Sequence, residues 1–355
     1  MSGPEEIAIG SGGAWIGPGL LAAAASRLVS ASGRYLLVSS AGSRAVAEIL
    51  RRALAGRLLL DLEIDDREES KNLRAVERIA DAALAAGLRR DDAFVAVGGG
   101  VVCDIVGFAG AILLRGVTWN AVPTTTGAMA DAAIGGKTGV DHPAGKNLLG
   151  AFHPPATILI DPAAVATLSD RDYRSGLVEA FKAAWIANAA LASRAEASLE
   201  AILARDERAL LDLVAGAVRI KAEIVSSDPK EADRRRLLNF GHTLGHAFEA
   251  AGGYRDLRHG EAVAWGIGAA LRISARRANL PEAAAARVRR VLARLGPFPE
   301  PRRDPEALAV YLAHDKKASA HGIAGVLLEG IGRARIEEAV PLEEWLEAAA
   351  RTKLS

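Results

Sequence analysis

Between Arg34 and Ile160 short apolar runs alternate with helical ones, and that alternation restricts the chain to few architectures. Arg34 to Ser40 (RYLLVSS) reads as a strand, Ala45 to Leu54 as a helix, and Arg57 to Ile64 as another strand. Asn72 to Gly87 is an amphipathic helix, with Asn72 as its N-cap and Gly87 as its stop. Ala93 to Val97 (AFVAV) is apolar throughout, as a buried strand is, and runs straight into Gly98, Gly99 and Gly100. Ile105 to Leu114 is helical, while Thr118 to Val122 and Thr157 to Ile160 are extended. Strands that alternate with helices pair in parallel, so an α/β open sheet is expected.

After about Pro162 the character changes. From Asp170 to Leu295 helix follows helix without a convincing strand. Pro297 to Pro305 reads as a linking loop, Gly322 to Ile336 as a hairpin, and Pro341 to Thr352 as a closing helix. A length of 355 residues fits about two domains, and half the residues are hydrophobic, enough for sizeable cores. The expected division is an α/β domain over residues 1–163 and a mostly α-helical one over 164–355. The net charge of +1 gives no field that would draw the chain to nucleic acid or an anionic membrane. A single cysteine, Cys103, excludes an internal disulfide and fits a reducing compartment. The N-terminus has no basic-then-apolar leader, and no apolar run reaches the roughly 18–20 residues that span a bilayer. A cytoplasmic protein is expected.

Three features carry chemistry. His242 and His246 are four apart in a helical stretch and leave one face, and His259 follows the break at Gly252 and Gly253. Three of the chain's seven histidines so close together suit a divalent metal, or are partly solvated side chains with no ligand. The run GGGVVCD at Gly98 to Asp104 follows a strand and opens a helix, which fits either an anion cradle or a tight turn. Residues 115–155 form a long glycine-rich stretch holding Arg115, Lys137, Lys146 and Asn147, a pattern suited to phosphate or carboxylate recognition.

Taken in order, GGGVVCDIVGF, RGVTWNAVPTT, Asp131 to Gly139, GKNLLGAFHPP, GLVEAFK, IKAEIVSSDPKE, LLNFGHTLGHAFE and HGEAV resemble the 3-dehydroquinate synthase family, from about Glu68 to Lys317. The resemblance implies an N-terminal Rossmann-like NAD-binding domain followed by a mostly α-helical metal- and substrate-binding domain. It implies a homodimeric lyase that uses NAD and Zn2+, or Co2+, to convert 3-deoxy-D-arabino-heptulosonate 7-phosphate into 3-dehydroquinate and phosphate in the shikimate pathway.

Residue by residue, the resemblance puts the metal on Glu179, His242 and His259. It puts NAD on Glu68, Lys71, Gly99, Gly100, Val101, Val102, Asp104, Thr124, Thr125, Asp131, Lys146 and Thr167. Substrate contacts fall on Arg115, Lys137, Asn147, Lys182, Lys221, Arg235, Leu238, Asn239, His246 and Lys317 or its neighbour Lys316. Among these, Lys221, Arg235 and Asn239 match the carboxylate end, and Lys137, Asn147, His246 and Arg115 the phosphate end. Glu231 and His246 match the proton-transfer pair, although the run DPKEADRRR reads equally as a solvated charged turn. The chain departs from the family pattern at Ala132 and Ala133, at Asp141, at Val178, and at Ser39 and Ser40, where some members carry an acidic ribose contact. Other sugar phosphate cyclases, a metal-dependent polyol dehydrogenase and a non-catalytic relative are the competing readings.

Overall fold

The computed structural model describes residues 3–314, 318–319 and 322–354. The chain divides into two compact units, Met1–Tyr173 with Lys221–Ser226, and Arg174–Ile220 with Ser227–Ser355.

In chain order the strands of the first unit are β1 (Glu5–Ile9), β2 (Gly12–Ile16), β3 (Tyr35–Ser40), β4 (Leu58–Ile64), β5 (Ala93–Gly98), β6 (Thr118–Pro123), β7 (Lys137–His142), β8 (Gly145–Phe152) and β9 (Thr157–Ile160). Seven of them form one sheet in the order β1-β2-β9-β6-β5-β3-β4. The β1–β2 pair is antiparallel and the other neighbours are parallel. Strands β3 and β5 are buried at every residue, which is why β5, and β3 up to Val38, are apolar without alternation. The β1–β2 hairpin is absent from the sequence reading because β1 is an edge strand, exposed at most positions, with no apolar rhythm.

Helices α1 (Arg44–Ala53), α2 (Leu73–Ala85) and α3 (Gly100–Ile112) connect these strands. Asn72 caps α2 as expected: its side-chain oxygen accepts from the backbone N–H groups of Arg74 and Ala75. Gly87 follows with φ 78°, a left-handed stop that glycine adopts without strain. Helix α3 begins at Gly100 with Gly99 as N-cap, so the glycine run opens a helix as expected, and the helical stretch read from Ile105 is its later part.

From β3 the chain steps outward to β4, then returns past β3 to β5. Open α/β sheets take ligands at the C-terminal strand ends where the winding direction reverses. Here that point lies between Ser40, ending β3, and Gly98, ending β5.

The glycine-rich stretch 115–155 holds more strand than the expected Thr118 to Val122. It contains β6, a π-turn at Ala128–Ala132, and the antiparallel β7–β8 hairpin, in which Lys137 faces Phe152 and Val140 faces Leu149. Glycines mask the strand pattern, and packing on α3 stabilises the hairpin instead. A Cβ on Gly107 of α3 would meet Thr138 Cγ2 at 2.4 Å, so only glycine lets β7 approach.

The second unit takes α4 (Asp170–Ala187) from Arg174 onward, then α5 (Ala189–Ala197), α6 (Leu199–Leu203) and α7 (Glu207–Ser227) up to Ile220. Next come α8 (His242–Ala251), α9 (His259–Arg277), α10 (Glu282–Leu295), α11 (Pro305–His314) and α12 (Leu342–Arg351). Strands β10 (Ala318–Ser319), β11 (Gly322–Gly330) and β12 (Arg333–Val340) add an antiparallel sheet that contains the expected hairpin. Helix α9 is the centre of this unit, buried without a break from Gly260 to Leu271. A Cβ on Gly266 would lie 1.9 Å from the Gly241 carbonyl oxygen, and one on Gly260 would lie 1.9 Å from that of Ser175. Bare glycine backbone thus brings α9 against both α8 and α4.

Candidate active site

Those close crossings converge three side chains of the second unit. Helix α4 carries Glu179 and Lys182 on one face, while α8 opens with His242 and α9 with His259. Glu179 is buried, and its Oε2 accepts a hydrogen bond from Lys182 Nζ, whose side chain is also buried. Its Oε1 is buried and accepts no hydrogen bond among the described residues. That oxygen lies 3.9 Å from His242 Nε2 and 3.7 Å from His259 Nε2. Bonds of roughly 2.0–2.2 Å to one tetrahedral ion would set these atoms about 3.3–3.6 Å apart. Both carboxylate–imidazole distances are therefore only a few tenths of an ångström longer than in a filled site. An unpaired carboxylate oxygen away from water is costly, and a cation among the three atoms removes the cost.

His246, one turn beyond His242, is exposed, and its ring centroid is 5.2 Å from that of His242 and 5.9 Å from that of His259. The ligating nitrogens of the three histidines lie within 4.8 Å of one another. Geometry alone admits either His246 or Glu179 as third ligand. The buried carboxylate offsets an ion's charge, which a third neutral imidazole does not.

The 3-10 segment Arg234–Asn239 precedes α8 and gathers further expected residues. Arg235 is 2% exposed and donates from Nη1 to the Pro229 carbonyl at 2.7 Å. Leu238, three residues on, is also buried. Asn239 Nδ2 donates to Glu231 Oε1 at 3.0 Å, which ties the two expected residues together.

In the first unit, Gly99 is the N-cap of α3 without a side-chain cap, and Gly100, Val101 and Val102 form the first turn. Their orphan N–H groups and the helix dipole suit an anionic group. A Cβ on Gly98 would meet the Val102 side chain at 2.5 Å, and one on Gly100 would meet Ala132 Cβ at 3.2 Å, so bulk is excluded from this turn. Thr124 N–H donates to the Gly98 carbonyl at 2.9 Å, and Thr125 Oγ1 accepts from Ala128 N–H.

Five more expected residues form an adjoining network. Lys71, 4% exposed, pairs with Asp104 at 2.6 Å and donates to Asn147 Oδ1 at 2.5 Å. Lys146 pairs with Glu68 at 2.9 Å, and Asn147 N–H donates to Asp141 Oδ1 at 2.8 Å. Burial alone would lower the Lys71 pKa, but the carboxylates of Asp104, Glu68 and Asp141 outweigh it and hold the ammonium above its usual range. Asp131 and Lys221, expected on NAD and on substrate respectively, are bonded to each other through Lys221 Nζ, at 2.7 Å to Asp131 Oδ1 and also to its carbonyl. Arg115, Lys137 and Thr167 are exposed. Lys316 and Lys317 lie outside the described residues. Burial pushes the Cys103 thiol well above its usual range, as a small packing residue requires.

Two contributors have no role in the sequence reading. Glu249, buried on α8, approaches His259 Nδ1, and the Phe240 carbonyl approaches His242 Nδ1. Glu249 follows His242 by two helical turns, and that shared face is the signal in the sequence. The carbonyl has no sequence signal at all.

Family comparison matches residues 61–175 to "3-dehydroquinate synthase N-terminal" and residues 176–318 to "3-dehydroquinate synthase C-terminal". The chain is 41% identical over 338 residues to 3-dehydroquinate synthase of Caulobacter vibrioides (strain NA1000 / CB15N), covering 92% of this chain and 91% of that protein. Among solved structures it is similar to 2-epi-5-epi-valiolone synthase from Streptomyces hygroscopicus subsp. jinggangensis 5008 with NAD+ and Zn2+ bound. That match has a TM-score of 0.84 at 32% identity, over 99% of this chain and 98% of that one. It shares its fold with 2-deoxy-scyllo-inosose synthase complexed with carbaglucose-6-phosphate, NAD+ and Co2+, with a TM-score of 0.87 at 24% identity, over 99% and 100% of the two chains.

Proposed function

The chain belongs to the 3-dehydroquinate synthase family, and from that membership we propose how its own residues perform the reaction. The enzyme is an NAD- and divalent-metal-dependent lyase that converts 3-deoxy-D-arabino-heptulosonate 7-phosphate into 3-dehydroquinate and phosphate. It does so by transient oxidation, phosphate elimination, reduction and aldol closure. The observation that carries the site assignment is Glu179 Oε1, which accepts no hydrogen bond among the described residues and faces two imidazole Nε2 atoms.

Glu179, His242 and His259 would hold Zn2+ or Co2+. Gly99, Gly100, Val101 and Val102, with Glu68, Lys71, Asp104, Thr124, Thr125, Asp131, Lys146 and Thr167, would hold NAD. When bound, the ion lowers the pKa of two adjacent substrate hydroxyls and NAD takes up and returns one hydride. Arg235, Asn239 and Lys221 neutralise and orient the substrate carboxylate, with Leu238 packed beside them. Arg115, Lys137, Asn147 and His246 do the same for the phosphate, and Lys182 holds Glu179 in its ligating orientation while reaching toward substrate. Lys317 or Lys316 completes the substrate set. Glu231, fixed by Asn239, and His246 relay protons through water. Orientation and charge neutralisation supply most of the acceleration, because the departing phosphate can act as its own base.

The protein acts as a homodimer in the cytoplasm. Exposed Leu148 and Phe152 on β8 and Ile112 on α3 support pairing with a second copy, with Arg115 serving the neighbour's site. The single buried Cys103 supports a reducing compartment. The test mixes protein, NAD, Zn2+ and the heptulosonate phosphate, and follows free phosphate together with NADH absorbance. Phosphate released without net NADH is the expected outcome. Steady NADH accumulation would instead make the protein a dehydrogenase.

A further inference from the structure

We propose that Glu249 is a positioning residue for the metal site, holding the His259 ring so that Nε2 faces the ion. The proposal rests on the reading of Glu179, His242 and His259 as ligands. His259 stands at the first position of α9, and its side chain is 46% exposed, so packing by itself does not fix the ring. Besides the rings of His242 and His246, the ring meets Glu249, 4% exposed, whose Oε2 lies 3.3 Å from Nδ1.

A carboxylate only accepts hydrogen bonds, so a proton on this imidazole belongs on Nδ1 and the lone pair is left on Nε2. Nε2 is the atom 3.7 Å from Glu179 Oε1. His242 solves the same problem differently. Its Nδ1 lies 3.3 Å from the Phe240 carbonyl, another pure acceptor, and its Nε2 also faces Glu179 Oε1. That carbonyl adjoins Gly241, whose φ is 82° and on which a Cβ would lie 2.6 Å from Ile267 Cγ1, so no side chain fits there. A backbone carbonyl thus faces Nδ1 of one histidine, and a carboxylate faces Nδ1 of the other. Burying an acid on α8 is unfavourable by itself, so an apolar residue there would serve packing better. Its contact with a ring nitrogen gives the acid its purpose.

The experiment uses the full chain with Glu249→Ala, Glu249→Leu and Glu249→Gln. Zn2+ affinity is measured by competition with a chromophoric chelator, and the absorption spectrum is recorded with Co2+. Glu249→Leu fills the vacated volume without an acceptor and carries the test should Glu249→Ala fail to fold. Ala and Leu are expected to lose roughly 10–100-fold in Zn2+ affinity and to shift the Co2+ bands. Gln, whose amide oxygen still accepts from Nδ1–H, is expected to recover part of that loss and to keep a near-wild-type spectrum. Wild-type affinity in Leu, or a Gln variant no better than Leu, overturns the positioning role. His259→Ala and Glu179→Ala serve as the separate control: if they keep full Zn2+ affinity, the ligand assignment itself is wrong.

Discussion

Substituting Gly260 by alanine tests whether close helix contact, and not the ligands alone, builds the metal site. The added Cβ would lie 1.9 Å from the Ser175 carbonyl oxygen. Carbon–oxygen contacts of this kind settle at roughly 3.3–3.6 Å, so the start of α9 must part from α4 by about 1.4 Å. Forcing a methyl group into such a contact costs about 1–3 kcal/mol of stability. The effect on the site is larger than that figure suggests. His259 adjoins Gly260, and its Nε2 begins 3.7 Å from Glu179 Oε1. Parting by that amount takes the pair to about 5 Å, whereas two bonds of roughly 2.1 Å to one ion span at most about 4.2 Å. Zn2+ stoichiometry after dialysis and chelator competition should therefore collapse while the chain stays folded. Gly253→Ala is the control. Its φ is 62° with open space around the Cβ, so it costs about 1–2 kcal/mol in backbone strain without moving α9. If Gly260→Ala binds Zn2+ as tightly as Gly253→Ala, the convergence argument is wrong.

Glu179→Gln should abolish tight Zn2+ binding and also lower the stability of the metal-free protein, by about 3 kcal/mol, because buried Lys182 loses its carboxylate; chemical denaturation with and without chelator separates the two effects. Lys71→Met should weaken NAD binding in a direct titration while leaving Zn2+ affinity unchanged, since it strips Asp104 and Asn147 of their shared partner. Asp92 provides a pH test. Burial by itself raises its pKa, but hydrogen bonds from Ser32, from the Arg89 N–H and from the Arg34 guanidinium outweigh that and hold it below the usual aspartate value. Its stabilising contribution is therefore complete above the unfolded-state pKa of about 3.9 and is lost as pH falls through the lower folded-state value. The urea midpoint should drop less on acidification in Asp92→Asn than in the wild type, and equal drops would refute the assignment.

The sequence by itself determined the alternation of strands and helices in the first unit from β3 to β6, and with it a parallel open sheet. Strand-length apolar runs such as Ala93–Val97, and helical ones such as Asn72–Gly87, depend on local period, caps and stops, which neighbouring residues carry in full. It also drew attention to His242 and His246, which share a helical face at fixed spacing, and to His259 close after them, whereas Glu179 entered only through the family resemblance. What local pattern does not contain, only the tertiary structure decided. The β7–β8 hairpin exists through its packing on α3 at Gly107, and β1 through its pairing with β2, so neither has a period strong enough to read. The ion pair of Asp131 with Lys221 joins residues distant in sequence. The same holds for the meeting of Glu179, His242 and His259, which depends on glycine contacts between helices whose spacing no linear pattern records. Periodicity is a property of neighbours along the chain, while a coordination site is a property of neighbours in space.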